Sequence, residues 1–362
     1  MMVLLEMHHR GLTPGKQILV IDPDPRDSND RTWCFWDRPG GKFDSIAFRQ
    51  WDSAFFIDNR QKLKMDLAPY RYKMVRGQDF FTYARQVLFG TYDVINESVT
   101  AWEDTGSGAR ITAGGKTFTC RRLFNSIFSE KSVTESPQHY LRQHFIGWKV
   151  RTANAVFDPG TPTFMDFSVA QKGNTRFMYV LPFAPNEALV EYTLFSKDLL
   201  EDSEYETAIA AYLEELGDGN FEIVEKERGS IPMTVHPFHK DNSGHVTFIG
   251  SAGGWTKPST GYTFASTVKR ASKLVSIMAK DGDPGKMVPN PRFTFYDALL
   301  IDVLYHENFK GSSIFSALFA DGKPAPIFKF LDEETTIAEE IMILAKCPKR
   351  TFIGALWRYL TS

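Results

Sequence analysis

Cysteine is scarce in this 362-residue chain, and Cys34, Cys120 and Cys347 form an odd, widely spaced trio. They supply neither a disulfide framework nor a CxxC metal pair, so a reducing, cytoplasmic setting is expected. No run approaches the ~18 apolar residues that a membrane span needs. The start, MMVLLEMHHRGLTPGK, lacks the apolar core and small-residue cleavage site of a signal peptide. A soluble or peripherally bound protein follows. Charge of one sign is also missing: 42 Lys and Arg face 44 Asp and Glu, a formal net charge of −2. With no basic tract, no nucleic-acid partner is expected. There is no nucleophile elbow, P-loop or HExxH. His139, His144, His236 and His245 show no metal-ligand spacing and read as structural, so no metal is expected.

Aromatic residues are plentiful instead: 30 Phe, 13 Tyr and 7 Trp make up 14% of the chain. That excess fits a large apolar ligand site, although an aromatic-rich core is an equal alternative. Residues 2–10 have helical character, Gly11, Pro14 and Gly15 break the chain, and QILVI at 17–21 reads as a buried parallel strand ending in Asp22. Helix, tight loop, apolar strand and terminal acid make the second half of a βαβ unit. The expected class is therefore α/β with a Rossmann-like dinucleotide fold whose first βα unit is incomplete, because no strand and no GxGxxG precede residue 2. Alternation from 51 to 74 predicts sheet and 77–89 a helix. Short strands follow over 91–128, ending in RRLFNSIF as a return strand to the first sheet. RFMYVLPF and ALVEYTLF flank a hairpin turn at 184–187. A helix is predicted at about 202–216, a strand at 245–250, another helix at about 262–280, and helices beyond 291.

Five places carry candidate chemistry. Asp22, at the end of its strand, has the position of an acid that accepts adenosine ribose hydroxyls; the alternative is a turn residue within IDPDP. The turn from Gly250 through Gly253 and Gly254 lies between strand and helix, where backbone N–H groups can approach phosphate. Ser259, Thr260 and Gly261 extend that loop, with hydroxyl donors and a flexible backbone. Arg31 sits in DRTWCFW among Trp33, Phe35 and Trp36, placed either to pair with a pyrophosphate or to lie on a surface aromatic. Glu191 in ALVEYTLF shares its strand face with Leu189, Thr193 and Phe195. Burial there would keep it protonated, as a general acid requires; the alternative is a salt-bridged glutamate. Asp166 in TFMDFSV shares its predicted face with Phe164.

Taken together, ILVIDPD (18–24), NDRTWCFW (29–36), QHFIGW (143–148), TFMDFSVAQ (163–171), RFMYVLPF (176–183), ALVEYT (188–193), GSIPM (229–233) and IGSAGGWTKPSTGYTF (249–264) occur in the order of one family. The chain resembles the bacterial lycopene cyclases, a branch of the FAD-dependent oxidoreductase-like folds, over roughly residues 15–270. The resemblance implies reduced FAD with NAD(P)H as reductant, and conversion of lycopene through γ-carotene to β-carotene without net redox change. It implies Glu191 as the essential acid, Asp166 as a companion, and Asp22 with the 250–254 turn as flavin-site residues. Residues 1–50, 75–130 and 225–280 would form a discontinuous FAD-binding domain, 51–74 and 131–224 a substrate-binding sheet domain, and 281–362 a helical region. Family members begin with a strand and GxGxxG, so a start codon placed too late is expected over a true truncation. Lipid substrates imply peripheral contact with the inner membrane from the cytoplasm, and other carotenoid-pathway enzymes are possible partners. The competing readings are a flavin-dependent monooxygenase or isoprenoid reductase of the same fold, or an inactive carotenoid-binding remnant.

Overall fold

The computed structural model describes residues 1–217 and 219–361. Its largest element is a seven-stranded sheet in the order Phe221–Met233, Leu141–Thr152, Glu187–Ser196, Thr175–Ala184, Thr163–Asp166, Ser53–Ile57, Lys62–Asp66. The hairpin expected at 184–187 joins its two central long strands. Both are buried almost throughout, so this sheet is covered on both faces. One face carries Ile146, Trp148, Val150, Met178, Val190 and Tyr192 against helix Asp202–Glu215. The other carries Phe164, Phe177, Leu181, Leu189 and Phe195, which pack on Phe315, Phe319 and Phe328 of helices Gly311–Phe319 and Ala325–Leu331. Each such side chain removed from water contributes about 1.5–3 kcal/mol before conformational entropy is subtracted.

A second layer begins with helix Met2–His9, whose Met2 and Leu5 are buried. Arg10, just past its end, donates to Ser272 and Ser276 of helix Phe264–Met278. Strand Leu19–Ile21 pairs in parallel with Asp93–Ile95. Leu123–Asn125 was expected to return to that pair; it runs instead parallel to Val246–Phe248. The Leu123 amide donates to His245 O, and the two strands share an apolar cluster with Ile111. A separate three-stranded sheet joins Thr32–Asp37, Arg71–Arg76 and Arg49–Trp51.

Two placements differ from the division expected above. Strand Phe221–Met233 runs unbroken through the 224/225 boundary and lies whole in the seven-stranded sheet. Arg71–Arg76, whose residues through Met74 were expected with the substrate sheet, pairs whole with Thr32–Asp37, its Tyr72 and Met74 lying opposite Trp36 and Cys34. The C-terminal helices start on local signals. Asn290 caps Pro291–His306 by accepting from Arg292 N, with Pro291 in the first turn. Thr336 and Glu339 form a reciprocal capping box on Ile337–Lys346.

Candidate active site

Alternation along Glu187–Ser196 sends Glu191 to the face that looks toward the three-stranded sheet, where it is 7% exposed. Its neighbours across the ladder are Tyr179 on one side and Gly147 on the other. Gly147 in turn lies beside Glu227 of the edge strand. The glycine is a spatial necessity: a Cβ there would stand 2.8 Å from Glu191 Cγ and 3.1 Å from Glu227 Cγ. The two carboxyl groups thus meet over a backbone with no side chain. Sequence reasoning missed Glu227, because EKERGS reads as an exposed charged edge; the usable signal was the glycine in QHFIGW, which marks a close approach.

Burial and the neighbouring Glu227 both push the Glu191 carboxyl well above the usual glutamate range. Glu227 is also raised by burial, while Glu191 and Thr32, whose Oγ1 donates to Glu227 Oε2 at 3.0 Å, pull it back down. The pair therefore shares a proton, held more firmly at Glu191. Because folding lifts these pKa values above about 4.3, the native state keeps protons that the unfolded chain has already released. Stability from the pair is full below the ordinary glutamate range and declines as pH rises through the folded values. Thermal midpoints should fall between about pH 5 and pH 8, and fall less for Glu191→Gln, which stays neutral. An equal slope in both proteins would contradict the raised pKa.

Phenols wall this acid. Tyr72 and Tyr179 hydroxyls are 2.5 Å apart, and Tyr262 reaches Tyr72 at 3.4 Å. Cys34 lies beside Tyr179, and burial raises the thiol and all three phenols, so each stays neutral. Trp36 stacks on Phe328 at 4.4 Å and meets Tyr262 edge-on at 4.6 Å. A neutral, aromatic, poorly hydrated wall around one protonated carboxyl suits proton delivery to an apolar acceptor.

Asp166 is not brought to Glu191. A bulge between Thr163 and Asp166 interrupts the alternation, so Phe164 and Asp166 leave the strand on opposite faces rather than sharing one. Phe164 packs against Tyr72, whereas Asp166 accepts from Tyr212 of the Asp202–Glu215 helix at 2.8 Å and from Ser168. His144 lies on that same far face, neutral, its pKa pushed down to about 4 by burial between Tyr205 and Ser196.

The residues expected around a dinucleotide occupy two strand ends. Asp22 follows Leu19–Ile21 and pairs with Arg26 at 3.0 Å. Arg31 is bound to Asp30, with its side chain 45% exposed. It does not pack among the three aromatics, because strand alternation sends Trp33 and Phe35 to Phe264 and Trp36 to Phe328. Gly250 has φ +61° and open space where a Cβ would stand. Gly253 and Gly254 are small for reasons inside the fold: a Cβ would lie 2.3 Å from Phe248 O and 2.6 Å from Phe238 respectively. Ser259 is buried beside Asp297. Thr260 Oγ1 and Gln143 Oε1 are buried without a hydrogen-bond partner, on either side of Gly261 (φ +72°). Two orphaned polar atoms at a loop between strand and helix fit a polar ring system such as a flavin. Close by, a cavity of about 250 Å³ is lined by Phe35, Trp36, Thr260, Tyr262, Arg270 and Lys273. Glu191 does not line it; Tyr262 links the cavity to the phenol chain.

The lycopene cyclase protein family profile matches residues 5–356. The chain belongs to the lycopene cyclase family. Relatives of this family member include lycopene beta-cyclases from Paracoccus sp., 28% identical over 78% of this chain and 72% of that protein, and from Pantoea ananas, 23% identical over 73% and 68%. Among solved structures, a geranylgeranyl bacteriochlorophyll reductase-like protein from Thermoplasma acidophilum superposes with a TM-score of 0.59 at 13% identity, covering 97% of this cyclase-family chain and 94% of that one. A triple mutant of the flavin-dependent brominase Bmp2 gives 0.60 at 12% identity, covering 100% and 96%. These likenesses show the fold: the mixed α/β, Rossmann-like two-domain architecture of flavin-dependent enzymes.

Proposed function

We propose that the chain is a lycopene β-cyclase in carotenoid biosynthesis, an intramolecular lyase that closes both ψ ends of lycopene by way of γ-carotene. The observation that carries this reading is Glu191: a carboxylic acid kept protonated on an aromatic wall in a cyclase-family chain. Its proton goes to C2 of a terminal alkene, leaving a tertiary cation at C1. The C5–C6 double bond attacks C1, and return of the C6 proton to the carboxylate pair completes a β ring and restores the acid. Atoms and electrons balance without an external oxidant. Faces of Tyr72, Tyr179, Tyr262 and Trp36 stabilise the cation, each by about 0.5–2 kcal/mol. Glu227 assists by holding Glu191 in place.

Asp22, Arg31, Gly250, Gly253, Gly254, Ser259, Thr260 and Gly261 are the residues that would hold FAD, Asp22 after release from Arg26. Bound there in its reduced form, with NAD(P)H as reductant, FAD would supply electron-rich character to the site. The orphaned Thr260 and Gln143 atoms support this placement. Purified protein given lycopene, FAD and NAD(P)H, assayed in parallel with and without oxygen, should return a product of unchanged mass in both. A product heavier by one oxygen would make it a monooxygenase, and one heavier by two hydrogens a reductase. Bound flavin with unaltered lycopene would favour a carotenoid-binding remnant.

A lipid substrate also asks for a lipid surface. No helix among the described residues is long and apolar enough to cross a membrane. Helices Ile337–Lys346 and Lys349–Thr361 nevertheless expose Ile337, Ile341 and Met342, then Ile353, Trp357 and Leu360, the last two at 70%. Spacing of four and three residues puts Ile353, Trp357 and Leu360 on one stripe, Ile337 and Ile341 share a stripe on the preceding helix, and Lys349 and Arg350 lie where the helices meet. We read this as peripheral attachment to an anionic inner membrane from the cytoplasmic side. The wild-type chain should sediment with anionic liposomes, and Ile353→Glu with Trp357→Glu should remain in the supernatant. Equal sedimentation of both would count against this surface.

A further inference from the structure

Independently of the cyclase reading, we propose that His139, Asp302 and His306 form a binding site for one divalent transition-metal ion, zinc by preference. Asp302 and His306 are one turn apart on helix Pro291–His306, the i, i+4 spacing that puts two ligands on one helix face. His139 comes from the loop just before strand Leu141–Thr152, far away in sequence. Chain-order spacing therefore hid the group, and only folding assembles it.

The geometry is specific. His139 Nε2 lies 3.4 Å, and His306 Nε2 3.6 Å, from the same oxygen, Asp302 Oδ1. All three ligand atoms lie within 4.8 Å of one another. Charge-assisted hydrogen bonds are shorter, about 2.7–2.9 Å. A tetrahedral ion with ligands at about 2.0–2.2 Å instead separates neighbouring ligand atoms by about 3.3–3.6 Å. The two histidine–aspartate separations are the edges of such a tetrahedron, and a small rotation of the exposed His306 ring brings the third edge in.

The surroundings orient the ligands. Arg358 donates through Nε and Nη2 to Asp302 Oδ2, at 2.8 and 2.6 Å, leaving Oδ1 turned to the histidines. The buried carboxylate is thus held by its other oxygen, as metal-binding carboxylates commonly are. His139 stacks on Tyr305 at 4.1 Å, and Lys197 lies over the same Tyr305 ring. Burial keeps the His139 imidazole pKa below its ordinary value, against the pull of Asp302, which favours the neutral, ligating form. Arg358 also faces Glu307 at 3.6 Å, so its charge is shared and opposes a cation less. Two imidazoles and one carboxylate suit zinc among available ions, with water in the fourth position. The ion would clip the segment before Leu141 to helix Pro291–His306, which Arg358 ties to Lys349–Thr361.

The test uses the full chain, stripped with chelator and titrated with Zn²⁺ against a chromophoric competitor. One saturable equivalent is expected, with a rise in the thermal midpoint. His139→Ala and His306→Ala, both at half-exposed positions, should each weaken binding by more than about tenfold while leaving the zinc-free midpoint unchanged. His8→Ala with His9→Ala, at the other close histidine pair, should leave binding intact. Absence of a saturable equivalent, or its survival in both single variants, would overturn the proposal. Co²⁺ added to the wild-type chain checks it without any variant: intense visible absorption of a four-coordinate ion is expected, and the weak spectrum of an octahedral one would refute it.

Discussion

Glu191→Gln should lower cyclisation by about 10²–10⁴-fold, the usual worth of a positioned general acid, while flavin binding and folding persist. Glutamine keeps the shape and a hydrogen-bond donor but cannot release a proton to carbon. Glu191 is 7% exposed between Tyr179 and Gly147, so an isosteric change leaves no hole. Glutamine is neutral without taking up a proton on folding, so at neutral pH the variant should be at least as stable as the wild type. A measured loss of turnover accompanied by a lower thermal midpoint would point to a structural role instead. Turnover at the wild-type rate would remove Glu191 from the mechanism. Glu227→Gln is the informative companion. It should keep part of the activity and shift the pH profile, because Glu227 acts through Glu191 rather than on the substrate.

Gly147→Ala should be nearly as damaging to activity with no change to any ionisable group. The new methyl would lie 2.8 Å from Glu191 Cγ, 3.1 Å from Glu227 Cγ and 3.2 Å from Leu189 Cδ1. Both glutamates would have to swing away, breaking their contact and moving the proton from its place. Overpacking of this kind costs about 1–3 kcal/mol in stability, so the protein should still fold. Urea unfolding and turnover measured on the same preparation separate the two effects. A loss of about 10²-fold or more in activity, beside that modest loss of stability, is the expected result. Wild-type turnover would show that the acid needs no clearance there.

Much of the fold was legible from periodicity. The 184–187 turn does join two strands, and the helices predicted near 77–89, 202–216 and 262–280 are present with ends shifted by two residues at most. Local turn and helix chemistry decides such features, so sequence shows them. The inward direction of Glu191 was also readable, because Leu189 and Phe195 point the same way and need a core. Asp166 shows the limit of that method. One inserted bulge residue reversed its face, and nothing in TFMDFSV announces a bulge. Arg31 shows a second limit: three aromatics beside an arginine suggested stacking, yet each ring found a partner on a distant helix.

By itself, then, the sequence determined the class of the molecule: an α/β chain of the lycopene cyclase family with one acid set in an apolar strand. Tertiary structure alone decided what that acid meets. Glu227, Gly147, Tyr72 and Tyr262 come from four separate segments, and His139 reaches Asp302 and His306 in the same way. Alternation and turn residues act over a few positions, so one strand can reveal which way Glu191 faces. A raised pKa, a shared proton or a metal tetrahedron requires groups a few ångströms apart in space, and only strand pairing and the packing of helices and sheets together set those distances.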